Sequence, residues 1–217
     1  MNIALIGATG FVGAAVLTEL LQRGHTVTAL VRDQAKALPA GVTPVVADAY
    51  DAASIAAGVR GVDAVISAFN PGWTAPDLYN AFLNGSAAIE RGVEASGVKR
   101  LLVVGGAGSL FVAPGVQLVD TPNFTGHVPA NVVPGARAAR DALTRLRANT
   151  VLDWTFLSPA AMLAPGARTG AYRVGGEDLL MDGPAPAGIS VADLAVAIVD
   201  EIEQPKHVRA RFTVASK

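Results

Sequence analysis

Apolar residues recur along this chain in two alternating rhythms. Strand-length runs with a strong apolar and β-branched content come at residues 2–6 (Asn-Ile-Ala-Leu-Ile), 26–31, 43–47, 64–68, 100–104, 151–157 and 211–214. Runs of that length without polar alternation belong to strands buried on both faces. Between them lie longer stretches with helical spacing. Residues 11–23 put Val12, Val16, Leu17, Leu20 and Leu21 on one stripe, and residues 77–96 do the same with Leu78, Phe82, Ala88, Ile89 and Val93. A helix over 135–148 interleaves Arg137, Arg140, Arg145 and Arg147 with Ala138, Ala142, Leu143 and Leu146. Asp51 is placed to cap a short helix over 52–58. Ser190 is placed to cap one running through Val191, Leu194, Ala195, Ile198 and Ile202, with Asp193 as a short-armed capping-box partner. Strand and helix alternate, which predicts an α/β fold: a doubly wound, mostly parallel sheet with helices on both faces.

No repeat or linker divides the chain, so residues 1–217 read as one domain with small substrate-side elements near the C-terminus. Residues 168–182 are expected to form a hairpin or extended excursion, and Arg211-Phe212-Thr213-Val214 a last strand at the sheet edge. From Phe111 to Pro134 the periodicity lapses and Pro, Gly and Asn gather. Long irregular segments in compact domains are typically lids or binding loops, which assigns this one to the substrate side.

The turn after the first strand carries glycines at Gly7, Gly10 and Gly13 and opens directly into the first helix. Gly7 permits a tight turn, Gly10 a close approach of a pyrophosphate, and Gly13 close packing of helix on sheet. Free N–H groups of the helix's first turn then face the anion. A strand-turn-helix context is what this motif requires to mean dinucleotide binding.

In open α/β sheets ligands bind at the carboxyl ends of the strands. There the second strand ends in Val31-Arg32, where a nucleotide lacking the 2′-phosphate is met by an acid; an arginine fork suits the phosphate. NADP(H) is therefore expected over NAD(H), with Asp33 beside Arg32 as a charge that either opposes the phosphate or caps the next turn. Asp48 and Ala49 close the third strand; Asp48 reads either as an acceptor for the adenine amino group or as a turn former. Ala68, Phe69 and Asn70 close the fourth strand and are expected to line the middle of the groove. Trp73 suits a substrate wall or packing on the next helix. The run Gly105-Gly106-Ala107-Gly108-Ser109 follows the fifth strand, bringing backbone near a ligand and offering Ser109 as a catalytic or positioning hydroxyl beside a nicotinamide, or forming a plain turn. Backbone after Pro159 is expected to reach the same groove.

Composition narrows the partners. The formal charge is −1 with no Lys/Arg cluster, so nucleic acid is not expected. The chain has no cysteine, which removes disulfides, thiolate metal sites and cysteine nucleophiles; no metal site of any kind is expected. Residues 2–6 run straight into the glycine turn without a basic n-region or cleavage site, so they read as a core strand and the expected compartment is the cytoplasm. No apolar run reaches the roughly 18 residues of a membrane span.

The chemistry is constrained by what the sequence lacks. Short-chain dehydrogenases that reduce ketones use a tyrosine acid with a lysine four residues later. Here Tyr50 is followed at that spacing by Ser54, Tyr79 by Leu83 and Tyr172 by Gly176. Without a built-in acid, alcohol–ketone exchange is poorly served, whereas a flavin or similar acceptor can take a hydride with its proton drawn from water. The protein's task is then to hold two flat rings in contact. His127 in the Pro-rich stretch reads either as a bystander, with no carboxylate spaced to partner it, or as a loop acid for small carbonyls.

Together Gly7-Ala8-Thr9-Gly10-Phe11-Val12-Gly13, Val31-Arg32, Gly105 to Leu110, Leu152-Asp153-Trp154-Thr155 through Ser158-Pro159, Arg168-Thr169-Gly170 with Tyr172-Arg173, and Arg211-Phe212-Thr213 resemble the atypical short-chain dehydrogenases of the NADH-flavin reductase-like group, related to NmrA-like proteins and flavin/biliverdin reductase B. The resemblance spans essentially the whole chain. It implies a Rossmann fold, NAD(P)H binding and reduction of flavin as the small-molecule acceptor. Carried onto this chain, it implies Thr9, Gly10, Phe11 and Val12 at the pyrophosphate, Arg32 at the 2′-phosphate, Asp48 and Ala49 near adenine, Ala68 to Asn70 near the ribose, and Ser109 beside the nicotinamide. NmrA-like relatives imply a second reading, a non-catalytic NADP(H)-binding redox sensor.

Overall fold

The computed structural model describes residues 1–33 and 38–217, the side chains of Asn123 and His127 excepted. Its first half is a regular βα alternation: β1 (Asn2–Ile6), α1 (Phe11–Gln22), β2 (Thr26–Val31), β3 (Val42–Val46), α2 (Ala52–Gly58), β4 (Ala64–Ser67), α3 (Leu78–Ser96) and β5 (Arg100–Val104). The stretch from 111 is more ordered than its composition suggests. It holds β6 (Phe111–Ala113) against β7 (Val116–Gln117), a 3₁₀ turn at Leu118–Asp120, and α4 (Pro122–His127) capped by the Thr121 hydroxyl. Next comes α5 (Val133–Arg147), which starts before residue 135 because Pro134 sits in the first turn, where its missing N–H costs nothing.

Then follow β8 (Asp153–Pro159), β9 (Met162–Ala164), β10 (Tyr172–Gly175), β11 (Met181–Asp182), β12 (Ala185–Pro186), β13 (Gly188–Ser190), α6 (Val191–Glu203) and β14 (Ala210–Ser216). The main sheet runs β10-β14-β8-β5-β4-β1-β2-β3, parallel throughout except for β10 on β14. The doubly wound sheet read from the sequence is thus observed. Strand residues divide by parity between its faces: Ile3, Leu5, Phe212 and Val214 pack with α1 and α6, whereas Ala4, Ile6, Trp154 and Phe156 pack beneath α2, α3 and α5.

Three expectations shift. β14 is not an edge strand, because residues 172–175 of the anticipated excursion add antiparallel to its free side. β8 begins at 153 and not 151, since the Asn149 side chain accepts from the N–H groups of Val151 and Leu152, both at 2.9 Å, and turns them out of the strand. It extends to Pro159 because β14 pairs that far, Val214 opposite Pro159. Asp193 forms no capping box. Its carboxylate accepts from the N–H groups of Thr169 (2.7 Å) and Gly170 (2.8 Å) and from the Thr169 hydroxyl (2.7 Å), while the Ser190 hydroxyl alone caps α6.

Candidate functional site

A groove of about 600 Å³ opens at the carboxyl edge of the sheet, across the ends of β1, β2, β3 and β4. Its floor is the glycine turn. Gly7 adopts φ +82°, and a Cβ there would lie 2.4 Å from the Ala68 carbonyl oxygen, so β1's turn and β4's end touch backbone to backbone. At Gly13 a Cβ would lie 2.0 Å from the Gly7 carbonyl oxygen, which is how closely α1 is drawn down onto the turn. The Gly10 N–H donates to Gly7 O at 2.9 Å, and Gly10 is the N-cap of α1, offering no side chain to satisfy the first-turn N–H groups. An anion suits such a floor, since the N-cap glycine leaves backbone donors of the first turn without a side-chain cap.

Of the residues singled out in the sequence, Gly7, Thr9, Gly10, Arg32, Ala49, Ala68, Phe69 and Asn70 line this groove. Phe11, Val12 and Gly13 form the first turn of α1 behind it, with Phe11 exposed. Arg32 stands exposed at the end of β2. Asp48 lies outside the lining; its Oδ1 accepts from the Tyr50 N–H at 2.9 Å, the turn-forming role. Asn70 likewise turns the chain, accepting from Gly72 N–H at 2.7 Å.

The structure does not bring Gly105, Gly106, Ser109 or Pro159 to the groove's lining. Gly105 makes room for protein: a Cβ there would sit 2.0 Å from the Phe156 ring. Gly106 is the N-cap of a 3₁₀ turn, Ala107–Ser109, that folds back onto the sheet. Ser109 is 1% exposed, its hydroxyl 3.4 Å from both Gly106 O and the Arg211 guanidinium and 3.5 Å from the Ser158 hydroxyl. Arg211 in turn pairs with Glu177, which Arg147 also reaches at 2.6 Å. Burial raises the Glu177 carboxyl; Arg211 and Arg147 overcome it and hold the group below its ordinary value. Pro159 is a buried strand residue.

The motif residues of the C-terminal third are engaged with other parts of the chain. Arg168 clasps the buried Glu19 of α1 through two bonds at 2.7 and 2.8 Å, Arg23 adds a third at 2.7 Å, and the Tyr172 hydroxyl donates to Asp200 at 2.6 Å. A second cavity of about 310 Å³ at the end of α6 is lined by groups already engaged with one another, Tyr172 with Asp200 and His207 with Glu201 at 2.8 Å.

Tyr79 donates to Asp141 at 2.6 Å, so Tyr79 and Tyr172 are both held by carboxylates and only Tyr50 borders the groove. Trp73 packs on a later helix than the next one, α5, and lies outside the groove's lining. A Cβ on Gly135 would lie 3.1 Å from its ring, and the residue is 49% exposed. The His127 side chain lies outside the described residues. Among the described residues no His, Cys, Asp or Glu cluster suits a metal ion, and no helix is long and apolar enough to cross a membrane.

One groove residue escaped sequence reading. Tyr50, two positions past Asp48, borders the groove beside Ala49 and Arg32; burial raises its hydroxyl pKa, Arg32 opposes the shift and Asp48 adds to it. Its only sequence signal is an aromatic residue just beyond the third strand.

Comparison with known proteins adds the family. Residues 7–205 match the family described as NAD(P)H-binding. The chain is 38% identical to the uncharacterized protein YwnB of Bacillus subtilis over 100% of this chain and 99% of that one. A Bacteroides thetaiotaomicron structure provisionally named an epimerase superposes with a TM-score of 0.89 at 43% identity, covering 99% of this chain and 96% of its own. A Streptococcus pneumoniae structure provisionally named an NADH-flavin reductase does so with a TM-score of 0.85 at 33% identity, covering 100% of both. With so much of its length matched, the chain belongs to the NAD(P)H-binding family, a Rossmann-fold group akin to the atypical short-chain dehydrogenases it resembles.

Proposed function

We propose that this protein is an NADPH-dependent oxidoreductase that passes hydride to a free flavin or a similar flat conjugated acceptor. The carrying observation is a glycine-floored groove with Arg32 at its rim and, among its described lining residues, no Tyr/Lys acid pair. NADPH supplies the hydride, and the acceptor's proton comes from water. The residues present position the cofactor. First-turn N–H groups of α1 face the pyrophosphate and Arg32 pairs with the 2′-phosphate. Backbone from Ala68 to Asn70 lines the middle of the groove, where the cofactor's ribose would lie.

The name given to the Streptococcus pneumoniae neighbour supports the acceptor class; that given to the Bacteroides thetaiotaomicron neighbour does not. A cytoplasmic setting, where NADPH is abundant, belongs to the same reading. Steady-state NADPH oxidation with FMN, FAD, riboflavin and quinones tests it. Turnover on at least one, with stoichiometric acceptor reduction, is expected. NADPH binding without turnover above the blank on all four refutes it and leaves the redox-sensor alternative.

A further inference from the structure

We propose that the Tyr50 ring is the stacking wall of the adenine subsite, an assignment that rests on reading the groove as a dinucleotide site. One backbone bond and one ring contact, itself supported from behind, set the ring's place. The Tyr50 N–H is tied to Asp48 Oδ1 at 2.9 Å, which sets the backbone. The ring meets Phe69 edge to face, with centroids 5.9 Å apart and planes at 87°. Phe69 is itself backed by α3, lying beside Phe82 at 6.1 Å and filling the space where a Cβ on Gly85 would come 2.3 Å from it.

A T-shaped contact covers at most one face of Tyr50, and the residue is 45% exposed on the groove it lines with Ala49 and Arg32. A large aromatic ring that rests on a rigid support through one T-shaped contact and keeps nearly half its surface exposed is a surface a purine can stack on. With one Asp48 oxygen engaged by the turn, the aromatic face is the larger recognition element at this end. Phosphate pairing by Arg32 and stacking by Tyr50 then act on different parts of the nucleotide. Arg32 distinguishes its 2′-substituent, whereas Tyr50 serves any adenine dinucleotide.

That difference supplies the test. Dissociation constants for NADPH, NADH and reduced nicotinamide mononucleotide, which lacks adenine, are measured by calorimetry on the wild type and on Tyr50→Ala and Tyr50→Phe. Tyr50→Ala is expected to weaken NADPH and NADH alike by about tenfold or more, the scale of a lost stacking contact. Tyr50→Phe is expected to stay within about twofold, and the mononucleotide to be unaffected by either change. Equal dinucleotide affinity in Tyr50→Ala and wild type overturns the assignment, as does a matching loss for the mononucleotide. A wild type that binds neither dinucleotide overturns the reading of the groove itself and is told apart by that control.

Discussion

Replacing Gly105 with alanine separates a glycine that admits a ligand from one that admits a neighbouring side chain. An added Cβ would stand 2.0, 2.1 and 3.1 Å from Cε1, Cζ and Cδ1 of Phe156. Carbon atoms settle at about 3.5 Å or more, so the ring has to retreat by about 1.5 Å. Phe156 is 1% exposed, and the small void it borders, about 20 Å³, has room for little more than a water molecule. Overpacking of this kind costs about 1–3 kcal/mol. Alanine also reduces the freedom of the unfolded chain, which returns about 0.4–1 kcal/mol. The net expectation is a loss of about 1–2 kcal/mol, which for a domain of this size lowers Tm by about 2–8 °C. Because Gly105 does not line the groove, the NADPH dissociation constant should stay within about twofold. Adding Phe156→Leu to Gly105→Ala should cost less than the two single changes summed, the mark of a direct clash. Unchanged Tm together with weakened NADPH binding would refute this account and put Gly105 at the cofactor.

Three other measurements bear on the site and its support. Arg32→Ala should weaken NADPH by about 1–3 kcal/mol, the scale of a charge-assisted hydrogen bond, and leave NADH unchanged; equal losses for both reject the 2′-phosphate role. Ser109→Ala should leave turnover within about twofold, since its buried hydroxyl makes only contacts of 3.4–3.5 Å; a drop of more than about tenfold returns it to the hydride site. For Glu19, Arg168 lowers the carboxyl pKa, burial opposes this and Arg23 adds to the lowering. A lowered folded pKa stabilises fully above the unfolded value of about 4.3 and is lost as pH falls through the folded one. Glu19→Gln should therefore reduce Tm at neutral pH and flatten its fall below about pH 4.3; an unchanged slope contradicts the linkage.

What could be read from sequence was what is encoded locally. Apolar runs and helical stripes marked the alternating elements, and the spacing of Gly7, Gly10 and Gly13 marked the turn because strand, turn and helix lie within a few residues of each other. Non-local partners stayed hidden. A glycine on the groove floor and one that admits the Phe156 ring look alike until β8 is laid beside β5. Ser109 drew notice for its neighbours in the chain, yet Arg211 and Ser158, which surround it, are distant in sequence. The Arg168-Thr169-Gly170 stretch carried family resemblance without announcing its task, which is to hold Glu19 and Asp193. Tyr50 belongs to no motif, and only its seat on Phe69 distinguishes it.

The interior place of β14 bears on how the molecule is made. Synthesis runs from the N-terminus, so β10 emerges well before β14, the strand it pairs with and its sole link to the sheet. Until β14 inserts between them, β8 and β10 present unsatisfied ladder groups to the solvent. The nascent chain therefore passes through a stage with two open strand borders and with its core still lacking Phe212 and Val214. Trimming from the C-terminal side would hold the protein at that stage and leave it prone to pairing with other chains.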